Sequence, residues 1–408
     1  MLQRRALRHR IRLGGDQPGI CWIGVTGSCG KSTTCQILAQ ILSKHASCRI
    51  PNLLWNYTGT VPLAILKVTA EDRYVIQEIA THVPGSIERI CKMYLPQIGV
   101  VMNVGTDHYT QFGSQEKIAF EKAALVHALP SDGVAILNAD DPRVVAMASV
   151  SAARAVTFGI ENEATYRARE VTAAWPQGVS FILEHNGENH RVETGLFGVH
   201  FAPNVLASLA TAHTAGMPLE DAIAALRDVV PLEGRMSEVK APDGVTFIRD
   251  DYKAPWWGLP FTVEFIRDAR AKRKVLVLGE MSDNPGDKAT KFRRVINSAL
   301  DHVHRIVVVG PAGRKLNSAL LEHDRVAVCD TIEAANRYLT GVLQSGDLVV
   351  LKGIVADHLE RLARVRVEPV GCWRSRCGRK HLCSECDLLK VPAGPDDPTG
   401  QQRSGGAQ

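Results

Sequence analysis

The sequence predicts an α/β protein that has two domains with parallel sheets and a short Cys-rich tail. Three observations lead to this fold class: short apolar runs alternate with helical patterns, one apolar run enters a glycine-rich loop, and four cysteines lie within fifteen residues near the C-terminal end. Alternation of strands and helices is typical of parallel sheets covered by helices. The chain has 408 residues, 45% of them hydrophobic and 22% charged, which is typical of a globular protein with two or three domains.

The apolar pattern places the elements in an alternating order along the chain. Strands are predicted at 20–25, 74–79, 98–103, 134–138, 154–158, 245–249, 274–278, 305–309 and 348–352. Helices are predicted at 32–44, 84–92, 114–128, 203–215, 219–228, 258–270, 289–301 and 332–343. Residues 165–194 differ, because short strands around turns such as Asn186-Gly187 indicate a small antiparallel insert.

Composition and turn residues divide the chain into five segments. We expect a basic N-terminal extension at 1–19, a central nucleotide-binding domain at 20–235, a second α/β domain at 236–368, a Cys-rich segment at 369–390 and a disordered tail at 391–408. The stretch from Pro231 to Arg235 is the predicted hinge between the two α/β units. The tail is rich in Pro, Gly, Asp, Gln and Ser, and such a composition does not bury a core.

The net charge of +5 is concentrated near the two ends of the chain. Five arginines lie at positions 4, 5, 8, 10 and 12, and a second basic cluster lies between residues 364 and 380. We expect both clusters to be solvated, and the alternative is that they hold an acidic partner. A nucleic-acid partner is not expected, because Trp373 is the one aromatic residue interleaved with the basic tail.

The sequence also indicates in which cellular compartment the protein is expected. No apolar run reaches membrane-spanning length, and no signal-peptide pattern follows the basic start. Six of the ten cysteines are scattered through predicted core segments, as is typical of a reducing compartment. We therefore expect a cytoplasmic protein without a membrane span.

A phosphate-binding loop follows the first predicted strand. It comprises Thr26, Gly27, Ser28, Cys29, Gly30, Lys31, Ser32 and Thr33. The glycines allow the backbone to approach phosphates closely, Lys31 supplies a positive charge, and the Ser32 hydroxyl suits Mg²⁺. The following helix directs the positive end of its dipole at the anion. Val25 stands where the usual pattern has its first glycine, yet the strand–loop–helix context predicts a nucleotide site.

Polar residues that suit Mg²⁺ follow the next strands. Glu78 ends a predicted strand, and ligands of parallel sheets bind at the carboxyl ends of the strands. His108 leaves another strand and is a candidate metal ligand through a neutral ring nitrogen. Lys122 lies in the following helix. The simplest interpretation is that it is a surface lysine paired with Glu121 or Glu116.

These motifs, in this order, resemble the Mur ligase superfamily over roughly residues 20–365, and most of all its D-alanyl-D-alanine-adding branch. Besides the phosphate loop, the similar stretches are Asn56 to Leu63, Glu78 with Pro84 to Ile87, Thr106 to Ser114, Lys122, Asn138 to Pro142, Gly198 to Asn204, Gly234-Arg235, Asp250 to Tyr252, Val277 to Met281 and Gly346 to Gly353. The resemblance implies a P-loop central ATPase domain with a parallel sheet and a C-terminal Rossmann-like α/β domain.

The resemblance also implies an activity and its residues. Such ligases use ATP to turn a carboxylate into an acyl phosphate, which an amine then attacks to form an amide bond. By resemblance, Ser32 and Glu78 bind one Mg²⁺, and His108, Glu78 and a carbamylated Lys122 bind a second. Asn138, Asn204 and Arg235 are implied on the nucleotide side, and Asp251 and Lys352 are implied to close onto the site from the second domain. Lys31, Glu78, His108 and Lys122 are therefore the predicted catalytic residues.

Departures from the family pattern concern the substrates. Phe201, Lys253-Ala254-Pro255 and Ile354 replace residues that the family usually has near the nucleotide or the amine. The phosphate loop also begins near residue 26, so we expect no separate N-terminal domain that holds a UDP sugar. We therefore expect a small or carrier-borne carboxylate that is not UDP-linked, and an amino acid as the amine donor.

The sequence alone is also compatible with two alternatives to this ligase. One is a peptidoglycan-modifying, amidating ligase that works with a partner subunit. The other is a nucleotide-binding scaffold that has lost catalysis and uses its tail to bind a protein or nucleic acid.

The Cys-rich segment predicts a metal site. Cys372, Cys377, Cys383 and Cys386 have spacings that suit a tetrahedral Zn²⁺ site. His381 is an alternative ligand, and an iron–sulfur cluster or a set of reduced thiols are the competing interpretations. A segment of this kind is a candidate docking site for a protein partner.

Overall fold

The protein is described here from a computed structural model. It covers residues 1–16, 19–52, 55–81, 83–105, 112–282, 286–375, 377–379 and 381–391. The chain forms two compact units, unit 1 with residues 1–173 and 177–231, and unit 2 with residues 174–176 and 232–408. Within the described residues, no helix is both long and apolar enough to cross a membrane. The predicted tail lies outside the described residues beyond Val391.

Unit 1 contains a nine-stranded sheet with the order β2-β3-β1-β4-β5-β6-β7-β8-β9. Its strands are β1 (Cys21–Thr26), β2 (Cys48–Arg49), β3 (Tyr74–Glu78), β4 (Ile98–Val101), β5 (Val134–Asn138), β6 (Arg154–Gly159), β7 (Tyr166–Thr172), β8 (Ser180–His185) and β9 (Glu188–Glu193). Pairing is parallel from β2 to β7 and antiparallel from β7 to β9. Asn186 and Gly187 turn between β8 and β9 with φ values of 51° and 82°, as a two-residue hairpin requires.

The helices of unit 1 cover this sheet. They are α1 (Leu2–Asp16), α2 (Lys31–His45), α3 (Val61–Leu66), α4 (Ser86–Tyr94), α5 (Gln115–His127), α6 (Pro142–Val145), α7 (Ala202–Thr214) and α8 (Leu219–Ala225). Their apolar sides bury Ile37, Leu38, Ile90 and Leu125 against strands that are themselves almost fully buried. Strands with two covered faces read as continuous apolar runs, which is why β1, β4 and β5 lack alternation.

Helix α1 corrects the expectation of a wholly solvated N-terminal extension. Ala6 and Leu13 are buried, and Arg10 is 7% exposed. The Arg10 guanidinium lies 4.2 Å from the centroid of the Trp22 ring, and its Nε donates to the Tyr94 carbonyl oxygen at 2.9 Å. The other four arginines of this helix are exposed. Of the five arginines of this helix, Arg10 thus belongs to the core, because it lies on the same face of the helix as Ala6 and Leu13.

Unit 2 contains a six-stranded sheet with the order β10-β11-β15-β12-β13-β14. Its strands are β10 (Ser237–Lys240), β11 (Thr246–Asp250), β12 (Arg273–Leu278), β13 (Arg305–Val309), β14 (Val326–Cys329) and β15 (Asp347–Lys352), and its helices are α9 (Leu259–Asp268), α10 (Lys288–Leu300), α11 (Ser318–Leu321), α12 (Ile332–Val342) and α13 (Glu360–Arg364). All pairings are parallel except that of β10 with β11. Valines and leucines of the central strands form the core, including Val277, Val307 and Leu351.

The predicted α/β class is confirmed, and every predicted strand and helix is present to within three residues at either end. The sequence pattern missed the helices α1, α3, α6, α11 and α13 and the strands β2, β10 and β14. Strands of two to four residues are too short for a pattern of two-residue alternation to stand out.

We expect Arg10→Ala to lower the free energy of unfolding by about 2 kcal/mol, because it removes the ring contact and leaves the buried carbonyl of Tyr94 and the half-buried carbonyl of Leu95 without their donor. Urea denaturation measures the change. Arg5→Ala, on the exposed side of the same helix, is the control and should cost less than about 0.5 kcal/mol. Equal losses for the two variants would show that the packing of α1 contributes nothing.

Candidate nucleotide-binding site

The site of unit 1 lies at the carboxyl ends of four neighbouring strands. In the sheet order β3, β1, β4 and β5, these ends carry Glu78, the phosphate loop, Asn103 and Asn138. The parallel pairing brings the four segments to one edge because it aligns Val25 with Glu78 and with Val100, and Val101 with Leu137. This is the edge at which open parallel sheets bind their ligands.

The phosphate loop has a backbone that requires glycine. Gly30 has φ of 82° and precedes the first residue of α2. A Cβ atom at this position would lie 2.6 Å from Nδ2 of Asn204, so both conformation and space exclude a larger residue. The first N–H groups of α2 have no acceptor within the helix, and they are therefore available to an anion.

Asn103 holds the first half of this loop, and sequence reasoning missed it. Its Oδ1 accepts hydrogen bonds from the backbone N–H groups of Ser28 and Cys29 at 3.0 and 2.9 Å. Its Nδ2 donates to the Cys29 carbonyl oxygen at 3.3 Å and lies 3.0 Å from the Cys29 sulfur. The Ser28 hydroxyl accepts from the Gly105 N–H at 2.6 Å. The available signal was the position of Asn103 at a strand end beside the loop.

Asn204 and Asn138 support the site in different ways. Nδ2 of Asn204 donates to the Gly30 carbonyl oxygen at 3.0 Å and to the Thr34 hydroxyl at 2.9 Å. It thus ties α7 to the start of α2. Nδ2 of Asn138 donates to the Met102 carbonyl oxygen at 2.8 Å. Both amides, predicted on the nucleotide side, act in this structure as braces of the loop and of the neighbouring strand end.

Lys31, Ser32 and Glu78 form the polar centre of the site. The Lys31 ammonium donates to the Gly27 carbonyl oxygen at 2.7 Å, across the loop. The Ser32 hydroxyl donates to Oε2 of Glu78 at 2.5 Å, and Asn56 donates to Oε1 at 3.0 Å. The Glu78 side chain is 4% exposed. A hydroxyl and a buried carboxylate beside the N-terminus of α2 are the hard oxygen ligands that Mg²⁺ prefers.

The loop also contains a buried hydroxyl group whose hydrogen bonding is unsatisfied within the described residues. The Thr26 hydroxyl is buried and has no hydrogen-bond partner among the described residues. Such atoms are rare in folded proteins and indicate a ligand or solvent contact. A phosphate cradle at this loop is consistent with that observation.

Lys122 is a buried residue of α5, 1% exposed, so the interpretation as a surface lysine is wrong. Its neighbour Glu121 has another role: its carboxylate accepts hydrogen bonds from the N–H groups of Gly85 and Ile87 at 2.6 and 2.9 Å. That places a negative charge at the N-terminus of α4. Glu116 pairs with Arg143 at 3.4 Å. His108, the predicted partner of Lys122, lies outside the described residues.

The three remaining predicted residues lie in unit 2. The Arg235 guanidinium lies 5.1 Å from the centroid of the Tyr252 ring. Nζ of Lys352 donates to Oδ2 of Asp250 at 2.5 Å, and both lie at the carboxyl ends of paired strands. Asp251 is 3% exposed, and burial raises its pKa to about 6 despite the opposing effect of Arg249.

The four cysteines of the Cys-rich segment line one cavity of unit 2. His358, Arg361, Arg374, Arg379, His381 and Leu388 complete its walls. Sequence reasoning named the cysteines and His381 but not His358, which precedes the first cysteine by fourteen residues and belongs to no spacing motif.

Comparisons with known proteins agree with this architecture. Residues 25–212 match the Mur ligase middle domain, and residues 234–354 match the Mur ligase, glutamate ligase domain. The UDP-N-acetylmuramoyl-tripeptide–D-alanyl-D-alanine ligase of Mycobacterium tuberculosis (strain CDC 1551 / Oshkosh) is 33% identical over 383 residues, which cover 88% of this chain and 75% of that protein.

Two solved structures share the fold. A crystal structure of MurF from Acinetobacter baumannii has a TM-score of 0.80 and 24% identity, with 89% of this chain and 79% of that chain covered. MurF from Thermotoga maritima in complex with ADP has a TM-score of 0.75 and 22% identity, with 89% and 82% covered.

We expect Asn103→Ala to weaken ADP binding about tenfold, because the Ser28 and Cys29 N–H groups lose the acceptor that orients the loop. Isothermal titration calorimetry measures the dissociation constant. The control is Asn162→Ala, since that side chain contacts Ala139 and Asp140, away from the loop. Affinities within twofold of each other for all three proteins would contradict the bracing role.

Proposed function

Because this chain belongs to the Mur ligase family of ATP-dependent ligases, we propose that it activates a carboxylate with ATP and joins it to an amine at the site of unit 1. The observation that carries this proposal is the cluster of Lys31, Ser32 and Glu78 at the N-terminus of α2. Burying a carboxylate is costly unless hydrogen bonds hold it, and the Ser32 hydroxyl holds Glu78 beside the phosphate loop. A Mg²⁺ ligand at this position suits a reaction that uses Mg-ATP.

The proposed chemistry has two steps. A carboxylate oxygen of the acceptor attacks the γ-phosphorus of ATP, and the bond to the β-phosphate oxygen breaks to release ADP. The amine nitrogen then attacks the acyl carbon, inorganic phosphate leaves, and the nitrogen loses its proton. Lys31 and the N–H groups at the start of α2 stabilise charge on the phosphoryl oxygens in the first step.

We propose that Mg²⁺ binds to Ser32 and Glu78. The Glu78 carboxylate is buried and already faces the Ser32 hydroxyl, so the donors suit a small hard cation. When bound, Mg²⁺ neutralises phosphate charge. Asn56 orients the Glu78 carboxylate through its hydrogen bond to Oε1.

We also propose that Lys122 is carbamylated and serves, with Glu78 and His108, a second Mg²⁺. Carbamylation turns a cation into an anionic oxygen ligand. Its support is the burial of Lys122 in α5, which sets this side chain apart from an ordinary surface lysine. Of this set, His108 lies outside the described residues.

The substrates remain at the level of a proposal. The relative from Mycobacterium tuberculosis is named for a UDP-N-acetylmuramoyl-tripeptide and D-alanyl-D-alanine, and we propose this pair as the first candidates. The expectation of an acceptor that is not UDP-linked receives no support from such relatives. It stays a prediction that rests on the sequence, as do the cytoplasmic location, the amidating alternative and a protein partner for the Cys-rich segment.

The first test measures phosphate release and product mass with Mg-ATP. One arm contains UDP-N-acetylmuramoyl-tripeptide with D-alanyl-D-alanine, and a second contains free or carrier-borne acids with single amino acids. Product in the first arm supports the relatives' substrates, and product in the second arm alone supports the expectation from sequence. ATP binding without turnover in either arm would favour the scaffold.

In whichever arm turns over, we expect Lys31→Ala to lower kcat by about 10²–10³-fold, because transition-state charge on the phosphoryl oxygens loses its cation. Lys44→Ala is the matched control, since Lys44 lies in the same helix and pairs with Asp228 on the surface. A Lys31→Ala enzyme as active as the control would show that the phosphate loop does not take part in catalysis.

For Lys122, we expect a carbamate signal in carbon-13 NMR after incubation with labelled bicarbonate. The signal should be absent in Lys122→Ala and retained in Lys117→Ala, which alters an exposed lysine of the same helix. Turnover should fall by about 10²-fold in Lys122→Ala. A spectrum without the signal in the wild-type protein would refute the modification.

A further inference from the structure

We propose that unit 2 binds one zinc ion through the thiolates of Cys372, Cys377, Cys383 and Cys386, and that this site is coupled by hydrogen bonds to Asp251. This zinc site lies in unit 2, whereas the proposed Mg²⁺ sites lie in unit 1. It does not depend on the proposed ligase reaction.

The cavity lined by the four cysteines has the size of an ion site. Its volume is about 20 Å³, room for about one water-sized particle. Cys372 and Cys383 are buried, and Cys377 and Cys386 are partly so. None of the four forms a disulfide. A tetrahedral zinc site of four thiolates requires this combination of enclosure and free sulfur.

Backbone turns bring the two pairs of cysteines together. The Cys386 N–H donates to the Cys383 carbonyl oxygen at 3.0 Å, which closes a tight turn between these two residues. The Gly371 and Cys372 N–H groups both donate to the Leu389 carbonyl oxygen, at 2.8 and 3.2 Å. The start and the end of the segment therefore lie side by side, as in a zinc knuckle.

Two guanidinium groups donate hydrogen bonds to cysteine sulfur atoms of the cavity. Arg361 donates from Nε to the Cys383 sulfur, and Arg379 donates from Nη1 to the Cys386 sulfur, both at 3.1 Å. Arg374 is a third guanidinium in the walls. Zn²⁺ with four thiolates carries a net charge of −2, which the guanidinium groups of Arg361 and Arg379 stabilise.

A different set of potential metal ligands lies near the four cysteines. His358, Glu360 and Cys383 place potential ligand atoms within 4.8 Å of one another. No three of the four cysteine sulfur atoms, all of them in described residues, lie within that distance of one another. Glu360, however, is occupied: Oε1 accepts from the Cys383 N–H at 2.5 Å and Oε2 from Arg249 at 3.0 Å.

His358 contacts two sulfur atoms with two different nitrogens. Nε2 lies 3.2 Å from the sulfur of Cys377, and Nδ1 lies 3.4 Å from that of Cys383. One imidazole ring offers one nitrogen to an ion, so a position between two sulfurs suits a hydrogen-bonding group better than a ligand. His358 also has φ of 55°, an uncommon conformation for a residue other than glycine. We assign it as a positioning residue.

The coupling to Asp251 follows a chain of buried contacts. From the Cys383 N–H, the path leads through Glu360 to Arg249, which is 2% exposed. Arg249 then donates to both carboxylate oxygens of Asp251 at 3.3 Å. A second path runs from the Ser384 hydroxyl to Glu233, which also pairs with Arg249. The turn that holds the ion therefore fixes the surroundings of Asp251.

The test starts with metal content. Protein purified without oxygen should contain about one zinc per chain by mass spectrometry, and the Cys383→Ser/Cys386→Ser variant should contain less than about 0.2. Cys329→Ser, which alters a buried cysteine of β14, is the control and should retain the zinc. Stoichiometric iron, or wild-type protein without metal, would overturn the proposal.

X-ray absorption at the zinc edge tests the ligands. We expect four sulfur ligands, and His358→Ala should keep the metal with the same count. A spectrum with a nitrogen ligand that disappears in His358→Ala would refute the four-thiolate assignment.

Amide hydrogen exchange tests the coupling. Exchange across 246–252 should become faster in Cys383→Ser/Cys386→Ser and stay unchanged in Cys329→Ser. Unchanged exchange in the variant that lacks zinc would refute the path to Asp251. Neither measurement uses ligase activity, so failure of the proposed function would leave both results interpretable.

Discussion

The site of unit 1 depends on one constraint, which is that residues 27–30 must hold a backbone conformation that exposes the N-terminus of α2. A short glycine-containing loop has too much conformational freedom to do this alone. Asn103 fixes it from the strand side and Asn204 from the helix side. Asn204 is buried and Asn103 is half-buried, and their amide hydrogen bonds make them rigid supports. The position of Glu78 relative to Ser32 follows from this rigidity.

Much of the fold and part of the site could be predicted from sequence because their signals are local. Buried strands read as apolar runs, and the glycine-containing loop carries its own spacing, so this loop and Glu78 were placed correctly at neighbouring strand ends. The family resemblance is confirmed by a relative that is 33% identical. The proposed roles of Lys122, Asp251 and Lys352 stay predictions, since each role is defined by contacts with a substrate, nucleotide or metal rather than by contacts within the fold.

Other features escaped because they depend on contacts between distant segments. Arg10 is core rather than surface only because Trp22 and Tyr94 happen to face it. Asn103 has no motif of its own, and its role emerges from a partner 75 residues away. His358 likewise meets Cys377 through folding rather than through spacing. In each case a polar side chain acts through buried geometry, which composition and periodicity do not encode.

The order of the nine-stranded sheet also bears on how the protein behaves at high concentration. Its two edge strands are β2, which has two residues, and β9, which presents Glu188, Arg191 and Glu193 to solvent. Short or charged edges do not offer a second chain a continuous row of backbone partners. The antiparallel extension from β7 to β9 thus ends the hydrophobic parallel sheet with a polar hairpin. This hairpin protects the sheet against edge-to-edge aggregation. The protection matters because the central strands of the sheet are among the most apolar segments of the chain.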